Sequence, residues 1–229
     1  MKRILVVLIG LFGFSNAFAF LFFSPSYDIT AQKALSLKKS DFSGNIQRLN
    51  EQVLKDALTA YSCARKRGLD KKEMLTIIDY SKPAVEPRLW VIDLRHLHVK
   101  YNELVAHGEH SGDMTAIHFS NQDGTHESSL GTFLTGQVYT GHNGIALRLQ
   151  GLEPGFNDNA MSRAIVIHGA YYVSAQRVLV EGRIGRSFGC PAIPQKYAKK
   201  TINAIKDGTL VFAYGNDNYW LKHSSYLHC

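Results

Sequence analysis

The chain has 229 residues, 45% of them apolar and 20% charged, with a formal net charge of +7. That length makes one sizeable domain or two small ones, and it buries enough surface to fold without metal or disulfides. The balance excludes a disordered tail, a coiled coil and a collagen-like fibre; so modest and evenly spread a positive charge suits anionic surroundings such as a cell wall, without indicating nucleic acid.

Lys2 and Arg3 precede an apolar run over 4–14, a polar dip at Ser15 and Asn16, and the small-x-small sequence Ala17-Phe18-Ala19. This is the pattern of a secretory signal peptide over 1–19. Residues 20–23 prolong the apolar stretch to 20 residues, a length that can cross a bilayer, so an uncleaved membrane anchor reaching residue 23 is the alternative. In either case the remainder is expected to be exported, to the periplasm or cell envelope. Residues 20–44 read as a loose lead-in. Ser43 is placed to cap a helix starting near Asn45, in which Ile46, Leu49, Val53, Ala57, Ala60, Tyr61 and Ala64 recur at helical spacing until Gly68.

The texture then changes. Short strands are expected over 75–80, 89–94, 103–106, 131–139, 145–150, 164–168, 178–181 and 209–214, with Gly, Asn, Asp and Pro between them. A short late helix is expected over 196–206, ended by Gly208. The fold class is thus mainly β (α+β), with a long N-terminal helix, a domain over 45–217 and a C-terminal tail over 218–229.

Three cysteines, Cys63, Cys190 and Cys229, leave at least one thiol unpaired within the chain, and their spacing is not that of a zinc site. Cys63 reads as a small buried hydrophobe on the helix, whereas Gly189 and Pro191 put Cys190 in a turn that presents its side chain. Among ten histidines, His96 with His98 and His107 with His110 have metal-like spacing but no clear third ligand. They read as surface or loop residues, and no metal or cofactor is expected.

The segment 163–194 carries the chemistry. A strand ends at His168-Gly169, and 22 positions later a Gly-rich turn presents Cys190. Acyl transfer by a thiol needs a base and a lowered thiol pKa. His168 is the candidate base, and Arg183 and Arg186 are the candidate positive charges. The amides of Phe188, Gly189 and Cys190 are placed to form an oxyanion hole. Tyr139 and His142, in a Gly-rich turn, are candidates to line the cleft.

His168-Gly169 followed by Ser187-x-Gly189-Cys190 resembles the active-site motif of the L,D-transpeptidases, the YkuD-like catalytic domains. The resemblance is to a branch with R-S-W/F-G-C-P-A around the cysteine. It extends through Phe119-Ser120-Asn121, Ser128-Ser129-Leu130-Gly131, Gly151-Leu152-Glu153-x-Gly155 and Asn157-Asp158-x-Ala160, over residues 50–215. Two positions depart from the commoner motif, which has His where Phe188 stands and Asn or Arg where Ala192 stands.

The resemblance implies a β-sandwich or barrel of YkuD type and peptidoglycan stem peptides as substrate. It implies a Cys190 thioester, with His168 oriented by the carbonyl of Gly169 and Ser187 at the substrate, and a 3–3 crosslink when an amine accepts the acyl group. Water as acceptor would make an L,D-carboxypeptidase or endopeptidase, and loss of turnover a non-catalytic wall-binding protein of the same fold. Arg183 and Arg186 would hold substrate carboxylates. If Cys190 is the nucleophile, the remaining internal pair is Cys63 with Cys229; the alternative is a buried Cys63 thiol and an exposed Cys229 that cross-links two copies.

Overall fold

Two mainly apolar runs form the middle of the sheet. Met74–Asp79 (β1) and Leu210–Tyr214 (β8) are buried along their whole length and pair in parallel, as strands covered on both faces do. The computed structural model describes residues 29–70, 72–141 and 144–229. The expected signal peptide or anchor and His142 lie outside the described residues.

In chain order the other elements are the helices Ala31–Ser36 (α1) and Glu51–Lys66 (α2), then Leu89–Asp93 (β2), His98–Glu103 (β3), Gly131–Gly141 (β4), Gly144–Gly151 (β5) and Val166–Ala170 (β6). Helix Ala175–Glu181 (α3), strand Ala192–Pro194 (β7), helix Gln195–Ile205 (α4) and, after β8, helix Asn218–His223 (α5) complete them. The sheet is mixed, in the order β3-β2-β1-β8-β4-β5-β6-β7. An antiparallel bridge from Ala106 to Ala192 joins the segment after β3 to β7, so the two edges meet and the sheet curls nearly shut. This is the curled, nearly barrel-shaped sheet that the sequence resemblance implies.

Four expectations are corrected. Helix α2 begins at Glu51 rather than near 45, because the Asn50 side chain accepts from the Gln52 and Val53 amides and caps it; Ser43 instead bridges to His98. The strand expected over 103–106 lies earlier, at β3, and residue 106 makes the edge bridge. The strand expected over 178–181 is helix α3: Ser174 caps its start, Gly182 ends it in the left-handed region, Val178 packs on the small cluster around Val173 and Ile184, and Val180 is exposed. The described part of the lead-in, from residue 29, is packed rather than loose, since Ile29, Ala34 and Phe42 are buried and α1 lies against α2.

The tail is equally part of the domain. Trp220 and Tyr226 are buried, and the Trp220 indole N–H and Ser224 hydroxyl donate to the buried Glu153 carboxylate at 3.1 and 2.6 Å. Glu153 also accepts the Thr132 amide at 2.6 Å, while Asn157 Nδ2 donates to the Leu130 and Thr132 carbonyls. These bonds fasten α5 to β4 from inside.

Cys63 and Cys229 form a disulfide with Cα atoms 5.7 Å apart, closing a sequence separation of 166. Chain entropy makes such a closure worth about 5 kcal/mol as an upper figure, because the reduced unfolded chain gains so much freedom. Reduction, or Cys229→Ser, is therefore expected to lower the urea unfolding free energy by about 2–5 kcal/mol while leaving Cys190 free in both states. Equal unfolding midpoints with and without reductant would refute this.

Candidate active site

The turn that carries Cys190 is built from its own serine. Ser187 Oγ accepts the Gly189 amide at 3.2 Å and donates to the Cys190 carbonyl at 2.6 Å. Gly189 sits at φ +108°, and a Cβ there would come within 2.7 Å of the Glu127 carbonyl, so only glycine fits. The segment before the turn is clamped to residues 107–109, with Ser187 N–H donating to the His107 carbonyl at 3.0 Å and Glu109 N–H to the Ser187 carbonyl at 2.7 Å. From behind, the Ser128 hydroxyl accepts the Gly108 amide and donates to the Gly189 carbonyl, at 3.0 and 3.3 Å.

The 107–109 segment is itself rigid. His107 is buried, accepts at Nδ1 from Arg88 Nη2 at 2.6 Å and donates from Nε2 to the Gly112 carbonyl at 3.2 Å. Burial and the Arg88 guanidinium hold its pKa down to about 4, so the ring is neutral.

The parallel pairing of β6 with β7 sets His168 opposite Ala192, two residues beyond the cysteine. The buried imidazole donates from Nδ1 to the Gly169 carbonyl at 2.9 Å, which fixes the tautomer and leaves the Nε2 lone pair for the cleft. A Cβ on Gly169 would meet Gln195 Oε1 at 2.6 Å and the Ala198 Cβ at 2.8 Å, so this glycine lets α4 lie close on the strand. His168, Cys190, Tyr139, Ala146, Val166, Tyr172, Arg186, Ser187 and Phe188 all line one cleft of about 400 Å³.

Burial lowers the pKa of His168 and raises that of Cys190. The resting pair is therefore neutral thiol and neutral imidazole. The thiol donates to the Ala164 carbonyl at 3.6 Å and faces the Val166 amide at 3.5 Å. Against burial, the Val166 N–H and the Arg163 charge favour the thiolate. Arg163 thus fills the part expected of Arg183 and Arg186. Its fork reaches the Ser120 and Glu127 carbonyls and the Ser129 hydroxyl at 2.6, 2.8 and 2.6 Å, while its buried Nε has no partner. Arg183 stands outside the cleft, 3.6 Å from Asp113. Arg186 lines the cleft, bonds the Glu109 and Gly112 carbonyls and lies 3.6 Å from the same Asp113.

Two expected roles change. The Gly189 amide is spent on Ser187, so the amides free to meet an oxyanion are those of Phe188 and Cys190, which make no hydrogen bond among the described residues. Ser187 holds the turn rather than reaching out, since its hydroxyl is occupied on both sides. Tyr139 is in the cleft, with the Arg148 guanidinium over its ring at 4.6 Å. Sequence reasoning missed Arg163, Ser128 and Tyr172. Arg163 stands at the mouth of an expected strand with no motif around it. The Tyr171-Tyr172 pair, directly after the His-Gly strand end, was the available signal for the third.

A turn-presented thiol, a tautomer-fixed imidazole and two free amides on one cleft make a layout for cysteine acyl transfer on a curled mixed sheet. The chain belongs to the L,D-transpeptidase catalytic domain family (YkuD_2), whose model matches residues 45–214. Among solved structures, it is similar to an L,D-transpeptidase from Mycobacterium smegmatis at 13% identity and TM-score 0.39, covering 62% of this chain and 59% of that one. The helical cell shape determining protein Pgp2 from Campylobacter jejuni is similar at 12% and 0.43, covering 66% and 50%. An L,D-transpeptidase from Stackebrandtia nassauensis gives 15% and 0.38, covering 73% and 68%. The chain thus spans between half and three fifths of the length of the first two. No curated protein matches it.

The charge arrangement makes Arg163→Gln raise the thiol pKa further. The pH profile of Cys190 alkylation should move upward and its rate at pH 7 should fall, with Arg163→Lys staying closer to wild type. A profile unmoved by Arg163→Gln would remove this arginine as the thiolate's counter-charge. Gly189→Ala should cost about 1–3 kcal/mol of stability, from backbone strain against the Glu127 carbonyl, and should disorder the presentation of the thiol. Wild-type unfolding and alkylation in that variant would contradict the close approach.

Proposed function

We propose that the protein is an exported L,D-transpeptidase that forms 3–3 crosslinks between peptidoglycan stem peptides through a Cys190 thioester. The observation that carries the reading is the shared cleft, where Cys190 and His168 stand beside the free Phe188 and Cys190 amides. Family membership supports the substrate class, and the run Arg186-Ser187-Phe188-Gly189-Cys190-Pro191-Ala192 supports placing it in the branch with that sequence. The Cys63–Cys229 bridge and the N-terminal apolar run support an oxidising compartment outside the cytoplasm.

The donor bond joins the L-centre of stem residue three, usually diaminopimelate, to D-Ala at position four. Because the resting thiol is neutral, His168 Nε2 takes its proton as Sγ attacks the carbonyl carbon. The Phe188 and Cys190 amides donate to the oxyanion. Collapse breaks the C–N bond, and the proton on Nε2 leaves with the D-Ala amine. An acceptor amine then attacks the thioester, gives its proton to Nε2 and releases the thiol. Arg186 exchanges Asp113 for a carboxylate of the stem.

Incubation with purified disaccharide-tetrapeptide, read by mass spectrometry, tests this. The expected product is a dimer lacking one D-Ala. Tripeptide alone would replace transpeptidation by hydrolysis, and unchanged substrate would overturn the reading. Cys190→Ser should abolish product formation, and His168→Ala should reduce the rate by about 10²–10⁴ while leaving the unfolding curve near wild type.

A further inference from the structure

Beside the cleft, three side chains from two segments converge in a way the acyl-transfer chemistry does not use. Glu109 ends the 107–109 segment that clamps the nucleophile turn, His110 follows it, and His126 comes from the loop before Ser128. One ligand atom from each of the three lies within 4.8 Å of the others. His126 Nδ1 is 2.8 Å from Glu109 Oε1, and His110 Nε2 is 4.0 Å from the same oxygen. The two imidazoles stack, with centroids 5.4 Å apart and planes inclined by 22°.

We propose that Glu109, His110 and His126 bind a divalent transition-metal ion, zinc by the chemistry of the set. Two imidazoles and one carboxylate are a zinc donor set, and a water completes the tetrahedron. Zinc–ligand bonds of about 2.0–2.2 Å put neighbouring donor atoms about 3.3–3.5 Å apart in a tetrahedron. The His126–Glu109 contact must open by a fraction of an ångström and the others close by about 1 Å. Half-exposed side chains on a loop do this by rotamer adjustment.

The tautomer of His110 is already set for it. Its Nδ1 lies 2.8 Å from the Thr125 carbonyl, which only accepts, so Nδ1 carries a hydrogen and Nε2 is the ring nitrogen left to ligate, on the side of Glu109. A backbone carbonyl on the far nitrogen is the support that metal-bound histidines use. At His126, metal takes the place of the hydrogen shared with Glu109; a neutral ring then carries its single proton on Nε2 instead of Nδ1, and a charged ring releases the Nδ1 proton to solvent. Both imidazoles turn a ring nitrogen toward the one Glu109 oxygen, from two separate segments of chain. His126 also holds φ +56°, a left-handed conformation in which its ring stacks on Phe188 at 4.2 Å. Phe188 is 67% exposed on the lip of the cleft. A bound ion would tie the 120–127 loop to the segment behind the nucleophile turn.

The test uses the full chain with Cys190→Ala, which removes the thiol as a competing ligand. Zinc calorimetry should give one ion per chain and a raised melting temperature. His110→Ala and His126→Ala should each weaken binding by at least about tenfold and erase the thermal shift. Because His110 is exposed, its replacement leaves folding intact. Cobalt substitution in the otherwise wild-type chain should give d–d bands without a thiolate charge-transfer band at one equivalent. Absence of binding, binding indifferent to both histidines, or a thiolate band with no binding in Cys190→Ala would each overturn the proposal.

Discussion

One hydroxyl holds the turn on which the cleft depends. Ser187 Oγ spans from the Gly189 amide to the Cys190 carbonyl, so the thiol is presented by a loop braced from within while the Phe188 and Cys190 amides stay open to the cleft. The rest of the neighbourhood keeps that loop from relaxing. Residues 107–109 bond it along one side, Ser128 holds it from beneath, and the buried Arg88–His107 pair stiffens the clamp. Arg163 gathers carbonyls from the 120–127 loop and brings a guanidinium charge to the thiol as it does so. Architecture and electrostatics are here the same set of bonds.

The cleft inverts the usual thiolate–imidazolium picture. Burial disfavours charge on both partners, so the proton stays on sulfur until attack. A thiol of this kind is quiet toward casual oxidants and electrophiles, because thiolate is the reactive form. The imidazole keeps its lone pair available because the Gly169 carbonyl has fixed the hydrogen on the other nitrogen.

The central strands, the late helix and the Cys/His pair were legible in the sequence, because each has a local signature: an unbroken apolar run, a 3.6-residue stripe, a Gly-flanked cysteine. What was not legible was set by end signals that outweigh a short β-branched run, or by partners far along the chain. Val178 and Val180 favour a strand by themselves, but the Ser174 cap and Gly182 stop decide for helix. Arg163 acquires its meaning from Ser120, Glu127 and Cys190 together. The runs around Ser128, Glu153 and Asn157 served as marks of family resemblance. In the fold they are fasteners: Asn157 bonds the carbonyls of Leu130 and Thr132, and Glu153 gathers Thr132, Trp220 and Ser224.

The Cys63–Cys229 bridge makes most of the domain a covalent ring. A protease that cuts any single peptide bond inside that ring, in an exposed loop such as 120–127, opens it without releasing a fragment. The nicked protein keeps its mass but for one water and travels as a single species until a thiol reductant separates the pieces. Integrity of this protein is therefore legible only after reduction, and a loop can be severed beside the cleft while the two strands of chain that build it stay joined through α2 and the residues after α5.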